Sequence, residues 1–279
     1  MRLVNLANPF WTGGGGGGSN YSSFTLASVA SSSINSGGII TPRGLYISDD
    51  GTKIFAQESG SADGVFRFDM STAFDITTET FTSEGTGLSG AGGPITCAFS
   101  PDGLNYFTIN NNQIYQATLS TAWNTSTQGS VTTYALTDVT STLNLAFNDD
   151  GTKCYKRGTQ IRFGIVEIVL STPYDVTSAT SETTYIPPTD SLRFDSFVFV
   201  NNGLDILIFD NINQEADLIN LSTAWDVSTM SNSIHNQNTG LTIITGSSYS
   251  TISYTDDTNV YLLDSQAAKN VYQFSTSFI

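Results

Sequence analysis

Cysteine is scarce in this sequence: its 279 residues include two, Cys97 and Cys154. Two cysteines do not indicate a disulfide framework, and no Cys-x-x-Cys pair marks a zinc or redox site. We predict two buried, reduced thiols.

Basic residues are also few, with 10 Lys and Arg against 25 Asp and Glu, which gives a net charge of −15. A charge of this sign repels phosphate backbones and anionic membrane surfaces, so nucleic acid and membrane partners are not expected. A plain role in solubility is the alternative interpretation of the charge. No apolar run approaches a membrane span, and the start "MRLVNLANPFW" lacks the features of a signal peptide, so we expect synthesis in a cytoplasm.

One short segment recurs along the chain. It reads "MSTAFDITT" from Met70, "LSTAWNTST" from Leu119, "LSTPYDVTS" from Leu170 and "LSTAWDVST" from Leu221. The strands that precede these corners start at Val65, Ile114, Ile165 and Ala216, with a fifth copy at Val271. The period is therefore about fifty residues, which is typical of a β-propeller blade.

A glycine turn keeps the same spacing: "SDDGTKIF" from Ser48, "SPDGLNYF" from Ser100, "NDDGTKCY" from Asn148 and "VNNGLDIL" from Val200. Asp-Gly or Asn-Gly between apolar runs predicts a tight hairpin. The copy "TDDTNVYL" from Thr255 has lost its glycine. Each repeat then has a hairpin, a third strand, a corner and a polar outer strand, which together make a four-stranded blade.

We predict an all-β, five-bladed β-propeller over residues 21–279. The last copy stops after its third strand, and "YSSFTLASV" at 21–29 reads as an outer strand that closes the ring and removes free sheet edges. The predicted blades span 42–93, 94–142, 143–192, 193–245 and 246–279. The corner aromatics are predicted to pack between blades, and they are Phe74, Trp123, Tyr174 and Trp225.

Residues 1–20 read as an extended anchoring arm. Six glycines at 13–18 form a flexible tether that spans about 20 Å when extended. The apolar leader before them is predicted to dock on a partner through Leu3, Leu6, Phe10 and Trp11. An expendable tail is the alternative.

Catalytic chemistry finds little support in the sequence. The inner strands carry Arg43, Thr96, Asn144 and Arg193 near their starts, and Asp195 is their one acid, whereas glycoside cleavage needs two carboxylates. The single histidine, His235, falls on a predicted outermost strand. We therefore predict no catalytic residues, no metal site, no cofactor and no enzymatic activity.

One basic cluster stands out in the third blade: Lys153, Lys156, Arg157 and Arg162. A solvated hairpin face is the simple interpretation. The alternative is a docking patch for an acidic neighbour such as a second copy of the chain.

The "SPDG" and "DDGTK" turns, with third strands such as "VFRFDMSTAFD" and "VEIVLSTPYD", resemble propeller repeats of tailed-bacteriophage virion proteins and of surface proteins of marine bacteria and, more loosely, WD40-like blades. The resemblance implies a non-enzymatic virion structural protein, made in the host cytoplasm and associated with the tail, a fibre or the capsid. Its expected partners are other virion proteins in a symmetric assembly and a host surface glycan or receptor.

Two other function classes stay open. A lectin-like module would stack glycans on Trp123, Tyr174 and Trp225. A glycoside hydrolase would depend on Asp195.

Overall fold

A computed structural model of the chain describes residues 24–59, 64–110, 112–137, 144–158, 164–187, 194–210, 215–236, 250–256, 259–264 and 269–278. The predicted anchoring residues Leu3, Leu6, Phe10 and Trp11, and also Arg162 and Arg193, lie outside these ranges. No helix within the described part of the chain is long and apolar enough to cross a membrane.

In the described part of the chain, twenty strands form five antiparallel sheets of four strands each. The first blade holds β2 (Pro42–Ile47), β3 (Lys53–Glu58), β4 (Val65–Met70) and β5 (Glu79–Gly85). The second holds β6 (Ala98–Phe99), β7 (Asn105–Asn110), β8 (Gln113–Leu119) and β9 (Gln128–Ala135). The third holds β10 (Leu145–Phe147), β11 (Lys153–Gly158), β12 (Gly164–Leu170) and β13 (Ala179–Tyr185).

The fourth blade holds β14 (Ser196–Val200), β15 (Asp205–Asp210), β16 (Glu215–Leu221) and β17 (Met230–Asn236). The fifth holds β18 (Ser250–Asp256), β19 (Asn259–Asp264), β20 (Asn270–Phe278) and, on its outside, β1 (Phe24–Ser33). Short 3₁₀ turns complete the described elements: Ile34–Gly37, Ile76–Thr78, Thr125–Thr127, Val176–Ser178, Asn201–Gly203 and Val227–Thr229.

The first strand of each blade lies innermost. Neighbouring inner strands contact one another, β14 with β18, β18 with β2, and β2 with β6, so they surround the axis of the ring. The predicted five-bladed β-propeller is confirmed. We call the side that carries the β2–β3 type of hairpin the turn face, and the opposite side, where blades connect to each other, the loop face.

The core lies between blades because side chains alternate along each strand. On β15, Leu207 and Phe209 pack towards the fifth blade, whereas Ile206 and Ile208 pack towards the third. The five apolar clusters that result occupy the five interblade spaces. Cys97 and Cys154 are buried free thiols within two of these clusters.

The ring is closed by β1, as predicted. β1 pairs antiparallel with β20 from Phe24 opposite Phe278 to Ser33 opposite Asn270. The strand runs to Ser33, four residues past the predicted end at 29. Its loop-face end is held by Ser32 Oγ, which donates to Glu79 Oε1 of the first blade at 2.9 Å, and by Ile34 N, which donates to Lys269 O at 3.0 Å.

Candidate functional site

The glycine turns of the first three blades lie on the turn face, and each contains the same local pattern of hydrogen bonds. In the first blade, Asp50 Oδ1 accepts from Ser48 Oγ at 2.6 Å and from Thr52 N at 3.0 Å. Asp102 and Asp150 repeat this pattern in the second and third blades. The network fixes each hairpin, so the turn face is a rigid repeated surface.

The four corner aromatics lie directly on these glycines. Phe74, Trp123, Tyr174 and Trp225 all have positive φ, between 56° and 65°, which is rare for bulky residues. The N–H of each donates to the carbonyl of the hairpin glycine at 2.8 to 2.9 Å. A Cβ on Gly103 would lie 2.3 Å from the Trp123 ring, so only glycine fits beneath the aromatic.

The backbones of three of the four corners are also held by the preceding blade. Gln116 Nε2 donates to Tyr174 O at 2.7 Å, and Gln116 Oε1 accepts from Val176 N at 2.9 Å. Gln273 makes the same two bonds to Phe74 O and Ile76 N, at 2.7 and 3.1 Å. We call this arrangement the interblade clasp. Sequence reasoning missed it, although both glutamines lie two residues after the strand positions Ile114 and Val271 that define the repeat.

A second form of the clasp joins the third and fourth blades. Glu167 takes the glutamine position, and Lys153 Nζ donates to Glu167 Oε2 at 3.0 Å and to Trp225 O at 3.1 Å. Tyr155 Oη also donates to Trp225 O at 2.6 Å. The lysine therefore supplies the donor that a carboxylate lacks.

Within the described residues, no corner follows β20 in the fifth blade, and the fourth blade makes no clasp. The residue of the fourth blade at the glutamine position is Leu218, which is fully buried in the cluster shared with Val260 and Phe274 of the fifth blade. In these four blades the side chain at this position matches the blade that follows it, whereas the first blade has Arg67 there, which pairs with Asp69 of its own strand at 2.7 Å.

The predicted basic docking patch needs a correction. Lys156 has no exposed surface, and Lys153 belongs to the clasp. Arg157 Nη1 donates to Asp195 Oδ1 at 3.1 Å and to Phe194 O at 2.9 Å. All three side chains lie on β11 and bond to other groups of the fold, so these residues do not form the solvated hairpin face that the charges indicated.

The loop-face end of the inner strands forms the second candidate site, which we call the mouth. The described residues at the starts of these strands are Arg43, Thr96, Asn144 and Asp195. Thr96 Oγ1 accepts from Ile109 N at 3.0 Å, and Asn144 Oδ1 accepts from Phe197 N of the next blade. Asp195 is 8% exposed and paired with Arg157, so it is not an accessible acid for glycoside cleavage.

Carboxylates crowd the turn face instead. Burial and the neighbouring carboxylates of Asp50 and Asp149 raise the pKa of Asp49 to about 6, and a hydrogen bond from Tyr46 opposes the rise. The pKa of Asp149 is also raised, mainly by burial. Among the described residues, no group of three or more His, Cys, Asp or Glu side chains is arranged to hold a metal ion. His235 lies on β17, the outermost strand of its blade.

Comparison with known proteins supports the fold. No protein-family model matches the chain, and no curated protein does so either. Among solved structures, the luciferin-regenerating enzyme is 7% identical with a TM-score of 0.55, over 88% of this chain and 75% of that one. The PQQ-bound aldose sugar dehydrogenase of Streptomyces coelicolor is 11% identical with a TM-score of 0.53, over 93% and 100%.

A putative 6-phosphogluconolactonase of Bacteroides fragilis is 15% identical with a TM-score of 0.46 and matches 70% of this chain. The chain spans 55% of the length of that protein. The prediction that this protein is not an enzyme is wrong as an inference from the fold, because two of the solved structures that match most of the chain are enzymes. At these identities the likeness shows the β-propeller fold and assigns no reaction.

Proposed function

We propose that the protein is a structural component of a tailed-bacteriophage virion, held on the particle by residues 1–20 and displaying its propeller outward. The proposal rests on the resemblance of its turns and corners to virion propeller repeats, together with the position of Phe24. Its partners are other virion proteins and a surface glycan or receptor of the host.

Phe24 begins β1, the outermost strand of the fifth blade, and pairs with Phe278 at the turn-face end of the sheet. At this end of the sheet β20 is longer than β19. The first residue of β19, Asn259, pairs with Ser275, and β20 continues beyond it to Phe278. The arm is therefore joined to the rim of the ring on the turn face. In the arrangement that we propose, a propeller attached at this point directs its loop face away from the particle.

The loop face also carries the diversity that recognition requires. In the first four blades the turn face repeats its glycine turn and its corner, whereas the connections between second and third strands differ in sequence: "ESGSADG" from Glu58, "GTQIRFG" from Gly158 and "DNINQEA" from Asp210. Variable loops on a rigid scaffold are the usual location of binding residues. This asymmetry supports a display role with the loop face outward.

The test separates the arm from the ring. A variant that lacks residues 1–20 retains all of β1, so we expect it to melt at the parental temperature but to be missing from purified particles. A control in which Gly13–Gly18 become six serines keeps a flexible tether and should still be incorporated. Parental incorporation of the truncated variant would contradict the proposal.

A further inference from the structure

Glu79 lies where the closing strand meets the first blade. It is the first residue of β5 and follows the turn Ile76–Thr78, which contacts β1. Ser32 Oγ of β1 donates to Glu79 Oε1 at 2.9 Å. The bond therefore joins the strand that closes the ring to the blade against which the ring closes.

The second carboxylate oxygen of Glu79 has no hydrogen-bond partner. Glu79 Oε2 is buried, and no donor reaches it. An ionised carboxylate can accept on both oxygens, and its burial costs free energy unless the charge is paired or hydrogen-bonded. Among the described residues, the hydroxyl of Ser32 is the donor that this side chain has. Its ionised form is therefore only half satisfied.

Apolar side chains lie beside this bond on the same two strands. Ala30 and Phe81 are each two residues away, on the same strand faces as Ser32 and Glu79. Both pack against the buried cluster between the fifth and first blades. Burial raises the pKa of Glu79, and the hydrogen bond from Ser32 opposes that rise. The fold therefore favours the neutral form of the carboxyl.

The charged groups of the adjoining elements have partners of their own. They are Asp75 before the turn, Lys269 before β20, and Arg67 and Asp69 on β4. Asp75 accepts from the backbone of the turn, Lys269 donates to two groups that lie between β1 and β2, and Arg67 pairs with Asp69. β1 has no charged residue. The ionised carboxylate of Glu79 thus has a hydroxyl, and not a cation, as its partner.

We infer that Glu79 makes closure of the ring depend on pH: β1 is held most tightly to the first blade when this carboxyl is protonated, and the Ser32 end of the strand loosens as the carboxyl ionises. An ionised side chain regains more water when this end of β1 opens locally. A carboxyl whose pKa is raised by folding contributes stability below the pKa of the unfolded chain, and this contribution is lost as pH rises through the folded pKa. The inference does not depend on what residues 1–20 bind.

Thermal melts of the full-length protein between pH 4 and 8 test this inference. Glu79→Gln keeps an acceptor for Ser32 and removes the charge. We expect it to melt at the parental temperature at pH 4 and about 1–3 °C above it at pH 8. Glu84→Gln is the matched control, because it removes the same charge from an exposed residue of the same strand. It should melt with the parental dependence on pH.

Hydrogen exchange shows whether the effect lies at the closing strand. Ile34 N directly follows β1 and donates to Lys269 O at 3.0 Å, so its exchange reports opening of this end of the strand. At pH 7 the amide of Ile34 should exchange more slowly in Glu79→Gln than in the parent. Comparison at one pH removes the effect of pH on the chemical exchange rate.

Ser32→Ala supplies the second variant. Its bond to an ionised carboxylate is stronger than its bond to a neutral group, so the loss in melting temperature should be larger at pH 8 than at pH 4. Combined with Glu79→Gln, Ser32→Ala should cause a loss that no longer depends on pH. A difference between Glu79→Gln and the parent that stays constant from pH 4 to 8, or that equals the difference for Glu84→Gln, would overturn the inference. Equal exchange of Ile34 in the parent and Glu79→Gln would overturn it as well.

Discussion

The interblade clasp predicts that a single polar side chain sets much of the stability between two blades. Gln116 is 7% exposed and joins Tyr174 O and Val176 N across the space between the second and third blades. In Gln116→Leu, both backbone groups lose their partner, and Val176 is fully buried. Each unsatisfied buried group costs about 1–3 kcal/mol. Because Tyr174 is partly exposed, we expect a loss of about 2–4 kcal/mol in the free energy of unfolding.

The third blade supplies a rescue for a related variant. Gln116→Glu keeps an acceptor for Val176 N but places a carboxylate against Tyr174 O, and it should destabilise the protein. Asn105 occupies the position of Lys153, and Gln116 that of Glu167, in the equivalent strands. The double variant Asn105→Lys, Gln116→Glu should therefore recover most of the loss, with a coupling energy of about 1–3 kcal/mol.

Urea unfolding at pH 7 measures these values, and thermal melts should shift by roughly 2–4 °C per kcal/mol for a domain of this size. At pH 4 the carboxyl of Gln116→Glu becomes protonated and can donate to Tyr174 O, so its deficit should shrink. Unchanged stability in Gln116→Leu, or additive effects in the double variant, would refute the clasp.

Three further predictions concern the ring. Gly103→Ala should lower the free energy of unfolding by about 2 kcal/mol or more, since Gly103 has a φ of 69° and no room for a Cβ beneath Trp123. The control Gly129→Ala should change stability little, and the midpoints of urea unfolding compare the two variants. Deletion of residues 1–29 removes the start of the closing strand and should lower the melting temperature by many degrees, and an unchanged melt would contradict closure by β1. Because its pKa is raised, Asp49 contributes stability below the pKa of the unfolded carboxyl, and this contribution is lost as pH rises through about 6. Asp49→Asn should therefore raise the melting temperature at pH 7 and make the melting temperature depend less on pH between 4 and 7. The effect should be small, because solvent reaches the Asp49 side chain.

The repeat period was enough to predict the blades, because a hairpin signal such as Asp50-Gly51 and a corner such as Leu221–Thr229 are both local. Ring closure also followed from the sequence, since a blade short of one strand leaves a free edge that another strand must cover. The corner aromatics were recognised as a repeated feature for the same reason.

The features that sequence reasoning missed depend on the neighbouring blade. Gln116 looks like any polar strand residue until Tyr174 and Val176 of the next blade are placed beside it. Lys156 looks like a surface residue because charge alone does not reveal which strand face is covered. Arg43 forms a β-bulge between Pro42, which pairs with Glu58, and Gly44, which pairs with Gln57. The bulge depends on how β2 pairs with β3, and no local signal in the sequence marks it.

The most direct test of the account is immunogold electron microscopy of particles released from cells that carry this gene, with an antibody raised against residues 42–279. The account predicts gold on the virion, and its position on the capsid or tail identifies the site of display. Particles without gold, with the protein recovered only in the soluble fraction, would contradict it.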